Sequence, residues 1–185
     1  LALAEGESDA ALKLVDGMPK EMYAGLAAEI RGDALLALGR TDEARATYEA
    51  LGATSPAGAS FAAAGLADLA AVQGRFKDAA TALTRAIAVD IAAGNATAAA
   101  VKRLALAEVR MEQGDLAGAA RDAEAASTGT ESDSLRAAAG LVLAAAGRPA
   151  QAELLAGTLA TRLEADPQAF GRLVLAELAL ARKDP

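Results

Sequence analysis

The sequence predicts an all-α protein built as a row of antiparallel helix hairpins. Three observations carry that expectation. Apolar residues recur at helical spacing, and no stretch alternates apolar and polar residues as a half-buried strand would. Alanine supplies 55 of the 185 residues, about three in ten, far above ordinary usage. A short phrase built on glycine also returns at intervals in the mid-thirties, the mark of a repeat architecture.

The phrase is a small-apolar run, a Gly, one or two polar residues, then an Ala five residues after the Gly. It appears at Gly6 with Ala11, Gly39 with Ala44, Gly74 with Ala79, Gly114 with Ala119 and Gly147 with Ala152, and in degenerate form near Lys183. The markers are separated by 33, 35, 40, 33 and 36 residues. Each copy reads as a helix, a tight turn and a second helix. Glycine ends the first helix in a left-handed conformation, and polar residues such as Thr41, Asp42 and Asp115 cap the second. The fixed Ala lets two backbones approach where a larger side chain would hold them apart.

Taken in order, a stub at 1–5 precedes helices near 8–16, 20–38, 42–52, 58–73 and 76–93. Further helices are expected near 96–113, 116–127, 133–146, 149–165 and 168–182, about ten in all. Loops fall at 17–19, 52–58, 94–95 and 127–134. The last, Ser-Thr-Gly-Thr-Glu-Ser-Asp-Ser, is the most polar segment and is expected to be the most mobile. Asn95-Ala96-Thr97 has the form of a glycosylation acceptor but is expected to serve as turn and helix cap.

Composition removes whole classes of function. With no Cys and no His there is no disulfide framework, zinc finger, thiol nucleophile or imidazole base. Eighteen Lys and Arg against 25 Asp and Glu give a net charge of −7, which repels phosphate and argues against nucleic acid and anionic membrane as partners. The longest uncharged stretch, residues 50–67, contains Pro56 and mostly weakly apolar alanines, so no membrane insertion is expected. No Gly-rich loop is followed by Lys-Ser or Lys-Thr, and no cofactor site is read. The chain starts at Leu1, and Leu173–Ala181 reads as an amphipathic helix lacking its partner, so we expect a piece of a longer protein. The compartment stays open, the cytoplasm being favoured over the envelope, and the oligomeric state is unspecified.

In register, the repeat resembles the tetratricopeptide repeat. The copy beginning at Gly25 has Gly32 at the small position of its first helix, then Leu35, Gly39, Ala44, Tyr48 and a terminal Pro56. The next matches with Leu66, Ala67, Gly74, Ala79, Leu83 and Ala86, the third with Leu106, Ala107, Gly114, Ala119 and Ala126, and the fourth with Gly140, Leu143, Gly147 and Ala152. The consensus Trp is absent, and the 40-residue interval lacks its terminal Pro. Residues 27–51 are similar to repeats of bacterial envelope proteins of the ancillary-translocon type. Residues 65–90 and 164–168 resemble repeats of large bacterial signalling proteins. The resemblance implies one right-handed α-solenoid over residues 1–185, with repeats near 1–24, 25–59, 60–99, 100–132 and 133–167 and a partial copy at 168–185.

The resemblance also implies where contact is made, because in such arrays the first helices line a concave face. Positions two, five, nine and twelve of those helices are Leu26, Glu29, Asp33 and Leu36; Phe61, Ala64, Asp68 and Ala71; Val101, Leu104, Glu108 and Met111; and Phe170, Leu173, Glu177 and Leu180. The ninth is acidic in all but one copy, where Leu141 stands. Asp33, Asp68, Glu108 and Glu177 then form an acidic row flanked by Phe61, Met111 and Phe170. Such a row suits a peptide with basic and apolar side chains, while solvated acids on an exposed face are the plainer reading. Chaperone-binding relatives hold a C-terminal carboxylate with Lys and Asn, and an acid stands here where that Asn would, which argues against an acidic C-terminus. Glu29 and Asp33, one turn apart, do not amount to a catalytic pair. Lys102, Arg103 and Arg110 read as a solvated basic patch. The expected function is a non-catalytic interaction scaffold, the alternative a self-assembly or domain-spacing module.

Overall fold

The computed structural model describes residues 6–18 and 20–182. Among them are ten α-helices and no strand: α1 Ser8–Asp16, α2 Lys20–Ala37, α3 Thr41–Gly52, α4 Pro56–Val72, α5 Phe76–Ala92, α6 Ala96–Glu112, α7 Leu116–Thr128, α8 Asp133–Ala145, α9 Pro149–Ala160 and α10 Ala165–Arg182. They form two compact units, residues 1–82 and 83–185, with α5 contributing to both. In the first unit α1 packs on α2, α2 on α3, α3 on α4, and α2 also on α4. The second repeats the pattern, with consecutive contacts from α6 to α10 and further contacts of α6 with α8 and α8 with α10. The stub expected at 1–5 and Pro19 of the 17–19 loop lie outside the described residues.

All five marker glycines have positive φ, between 73° and 78°. Gly39 shows why. Its N–H donates to the Leu36 carbonyl at 3.0 Å, and the next N–H, of Arg40, reaches back to Leu35 at 2.9 Å, so two orphan carbonyls at the end of α2 are satisfied by a left-handed residue. A Cβ would strain that conformation. Gly94, at φ 72°, makes the same closure between α5 and α6, its N–H donating to Ile91 and that of Asn95 to Asp90. This accounts for the 40-residue interval. There α5 runs for 17 residues against 12 in α3, and a glycine cap ends it where another repeat would use Pro. Asn95 caps α6 as expected, its side chain accepting from the Ala98 N–H.

Four of the phrase alanines, Ala44, Ala79, Ala119 and Ala152, are 0% exposed. In the first unit Leu35, Ala44, Tyr48, Leu51 and Ala62 form a core. In the second, alanines of α6 to α9 pack with Leu104, Leu143, Val174 and Leu178.

Three expectations need correction. The loop at 52–58 is shorter, because α4 starts at Pro56, where the missing N–H costs nothing, and Ser55 caps it by accepting from the Gly58 N–H at 3.0 Å. The helix expected at 149–165 ends at Ala160, and α10 starts at Ala165, since Pro167 is tolerated only in a first turn. The polar 127–134 segment is tied down. Ser127 and Thr130 are buried, the Ser132 N–H donates to Thr130 Oγ1 at 3.1 Å, and Asp133 takes ion pairs from Arg136 and Arg162.

The basic patch is a fourth correction. Lys102 is buried, and its Nζ lies 2.6 Å from Asp90 Oδ2, the two side chains being 4% and 3% exposed. Arg103 donates to the Ala125 carbonyl at 3.0 Å, and Arg110 pairs with Asp122 at 3.2 Å. These cations hold α5, α6 and α7 together and are not a solvated face. Lys102 sits on the buried stripe of α6 with Ala99 and Leu106, and Asp90 follows Ala86 and Ile87 on that of α5.

Two outcomes follow for urea unfolding. Ala119→Leu should cost about 1–3 kcal/mol through overpacking, while the exposed Ala117→Leu changes stability by less than about 0.5 kcal/mol. Lys102→Ala should cost about 3–5 kcal/mol by leaving the Asp90 carboxylate buried without its cation, and Asp90→Leu combined with Lys102→Met should recover most of that loss.

Candidate functional site

Tyr48 organises the first unit. It lies on α3, is 1% exposed, and its ring edge meets two helix-interior glycines. A Cβ on Gly32 of α2 would stand 2.3 Å from Tyr48 Cε1, and one on Gly65 of α4 would stand 2.2 Å from it. Any side chain at either position collides with the ring, so the two glycines make the slot that holds it.

The slot aims the phenol at the acidic row. Tyr48 Oη donates to Asp33 Oδ1 at 2.7 Å. Burial pushes the phenol far above its ordinary range, followed by the Asp33 hydrogen bond and the charges of Asp33, Asp68 and Glu29. Tyr48 is therefore a neutral donor throughout the range in which proteins function. Burial raises the Asp33 carboxyl above the usual aspartate value, and the Tyr48 hydrogen bond pulls it part of the way back. Glu29 is half-buried, and Asp33, Asp68 and Phe61 reach the surface. Of the acids expected in this unit, Asp33 bonds the hydroxyl directly, while Asp68 and Glu29 act on it through their charge.

In the second unit Glu108 and Met111 lie on α6, and Phe170 and Glu177 on α10. Burial alone raises the Glu108 carboxyl. Met111 is partly buried against the core of its unit, and Phe170 and Glu177 are half-buried. Leu104, expected to line a groove, is buried in that core, and Leu141 packs partly buried against it. Val101, Leu173 and Leu180 are exposed.

Sequence reasoning placed Tyr48 in the repeat but missed what its hydroxyl does. The signal was present: two helix-interior glycines, Gly32 and Gly65, with one tyrosine between them in the chain.

Residues 1–59 match the family model of the tetratricopeptide repeat-like domain. Neither the curated proteins nor the solved structures yield a match to this chain. The helix–glycine–helix geometry of the tetratricopeptide repeat-like segment recurs beyond it, at Gly74, Gly114 and Gly147. Repeat domains of this kind are in general protein-interaction scaffolds without catalysis of their own. Among the described residues, no group of three His, Cys, Asp or Glu could hold a metal ion, and no helix is long and apolar enough to cross a membrane.

The raised Asp33 value has a definite sign. The native state favours the protonated carboxyl, so the stability this group contributes is complete below its unfolded value, about 3.9, and is lost as the pH rises through the higher native value. Asp33→Asn keeps an acceptor for Tyr48 and removes the charge. Urea midpoints should coincide with those of the parent below about pH 4 and exceed them at pH 7.

Proposed function

We propose that the acidic and apolar faces of the first helices bind a protein segment carrying Lys or Arg together with apolar side chains. The observation that supports this reading is the Asp33 carboxylate held by the Tyr48 hydroxyl, which also feels the charges of Asp68 and Glu29, with Phe61 exposed on the same helix as Asp68. A protein of net charge −7 that holds partly shielded carboxylates on one face attracts cationic segments over a distance of about a Debye length, about 8 Å at physiological salt. Shielding matters because an ion pair with a partner is stronger where water is displaced than on an open surface. Glu108, whose carboxyl burial also raises, with Met111, Phe170 and Glu177, offers the second unit the same chemistry. The apolar residues contribute area, and the acids contribute orientation and association rate. The scaffold changes no bond in its partner; its output is the position of the bound segment.

Titration with a pool of short peptides containing Arg and Leu tests this. The parent protein should bind members of the pool with affinity that falls as salt rises. Asp33→Asn, Asp68→Asn and Glu108→Gln combined should weaken binding by about tenfold, the sum of three exposed to half-shielded ion pairs, and flatten the salt dependence. Unchanged affinity and unchanged salt dependence in the triple variant would overturn the reading.

A further inference from the structure

The helix α10 repeats α6 with one side uncovered. The two start at Ala96 and Ala165, and their turn markers at Gly114 and Lys183 are the same 69 residues apart. Arg172, Leu175, Ala176 and Ala179 of α10 therefore take the places of Arg103, Leu106, Ala107 and Arg110 of α6. In α6 that side meets α7. Arg103 donates to the Ala125 carbonyl of α7 at 3.0 Å, Arg110 pairs with Asp122 of α7 at 3.2 Å, and Leu106 and Ala107 are 3% and 0% exposed. On α10 Leu175 is 48% exposed, and Arg172, Ala176 and Ala179 are exposed as well. That helix packs on α8 and α9, and its buried stripe is a different one, Gly171, Val174 and Leu178. A helix apolar on two sides calls for cover on both.

The matching half of a hairpin stands at α1. It starts at Ser8, and α7 starts at Leu116, 108 residues later, the same interval that separates Gly6 from Gly114. Both glycines are left-handed, with φ of 78° and 76°. The helix α1 is thus a second helix in the register of α7, with Ala11 in the place of Ala119, Leu14 in that of Asp122 and Gly17 in that of Ala125. It packs on α2, with Ser8, Ala11 and Val15 buried, and leaves Leu14 66% exposed.

We propose that α10 of one copy of the chain pairs with α1 of a second copy, forming between two chains the hairpin that α6 and α7 form within one. Three matches select a second copy as the occupant. Where α6 and α7 place the ion pair of Arg110 with Asp122, the joined helices place Ala179 and Leu14, so both members change together from charged to apolar. A change in one alone would leave a charge without its counterion. Charge is matched too. Arg172 keeps the guanidinium of Arg103, and the register sets before it the Gly17 carbonyl at the C-terminal end of α1, where the helix dipole and Asp16, itself paired with Arg31, supply negative charge. Leu175 and Ala176 repeat Leu106 and Ala107, and Ala11 repeats the close-approach alanine Ala119. The two surfaces differ, so the contact is heterologous and joins chains head to tail. It lies across the helix from Phe170 and Glu177 and is independent of the peptide reading.

Sedimentation equilibrium of the full chain, taken up to about 1 mM so that even a millimolar contact is populated, tests this. The parent should rise above the monomer mass as concentration increases. Leu14→Glu and Leu175→Glu each put a charge on one of the two surfaces, and since both side chains are exposed, circular dichroism of the variants should match the parent. Each variant alone should stay monomeric. Their equimolar mixture should form a dimer and stop there, through the intact α10 of the Leu14→Glu chain and the intact α1 of the other. Arg172→Gln should weaken association of the otherwise unchanged chain about tenfold. A parent that stays monomeric, or a mixture that does, would overturn the pairing. Self-association retained in Leu14→Glu and lost in Leu175→Glu would overturn it in favour of α10 against α10. Unchanged association in Arg172→Gln would overturn the register.

Discussion

The distance between neighbouring helices governs everything else in this protein. Facing positions that carry only a methyl group or a hydrogen bury useful area only if the backbones come close, and Ala44, Ala79, Ala119 and Ala152, wholly buried, mark where they do. The glycine turns follow from the same requirement. A hairpin whose helices lie close needs a short connection, and a left-handed glycine closes one while satisfying the carbonyls at the end of the first helix. Such a core is thin. Each alanine buries little apolar surface, so stability depends on many close contacts and not on a few large side chains.

Against that background the large or polar groups inside the molecule have an outsized effect. Tyr48 fits only because Gly32 and Gly65 leave a slot for its ring, and its buried hydroxyl is satisfied by the Asp33 carboxylate at the surface. The Asp90–Lys102 pair does something comparable in the second unit. The long Lys102 side chain of α6 reaches the short Asp90 side chain of α5, and their mutual hydrogen bond holds one pairing of the helices. In both cases a polar contact of defined geometry supplies the specificity that uniform small side chains lack.

The acidic surface is linked to the same packing. Asp33 is held because Tyr48 is held, and Tyr48 is held because two helices present glycine to it. The Asp33 carboxylate is thereby anchored to the core of the first unit, and its shielding from water comes from the closeness of α2, α3 and α4.

Much of this was legible in the sequence, and the reason is local. Ten helices, their turns at Gly39, Gly74, Gly114 and Gly147, the cap at Asn95 and the close-approach alanines are set by periodicity, by glycine and by residue volume, all of which act within a few residues along the chain. Helix ends near proline were less legible, because Pro56 and Pro167 open helices as readily as they end them. What only the tertiary structure decided is which polar groups meet. Lys102 looks solvated in a sequence because a lysine on an apolar stripe gives no sign of the Asp90 twelve residues earlier on another helix. Tyr48, Asp33, Gly32 and Gly65 meet across three helices, and nothing in their separate neighbourhoods along the chain specifies that one phenol will join them. The sequence by itself determined the helices and the small side chains that bring them together. The meeting of charges and rings was decided by packing, because burial and long-range contact exist only once the helices are assembled.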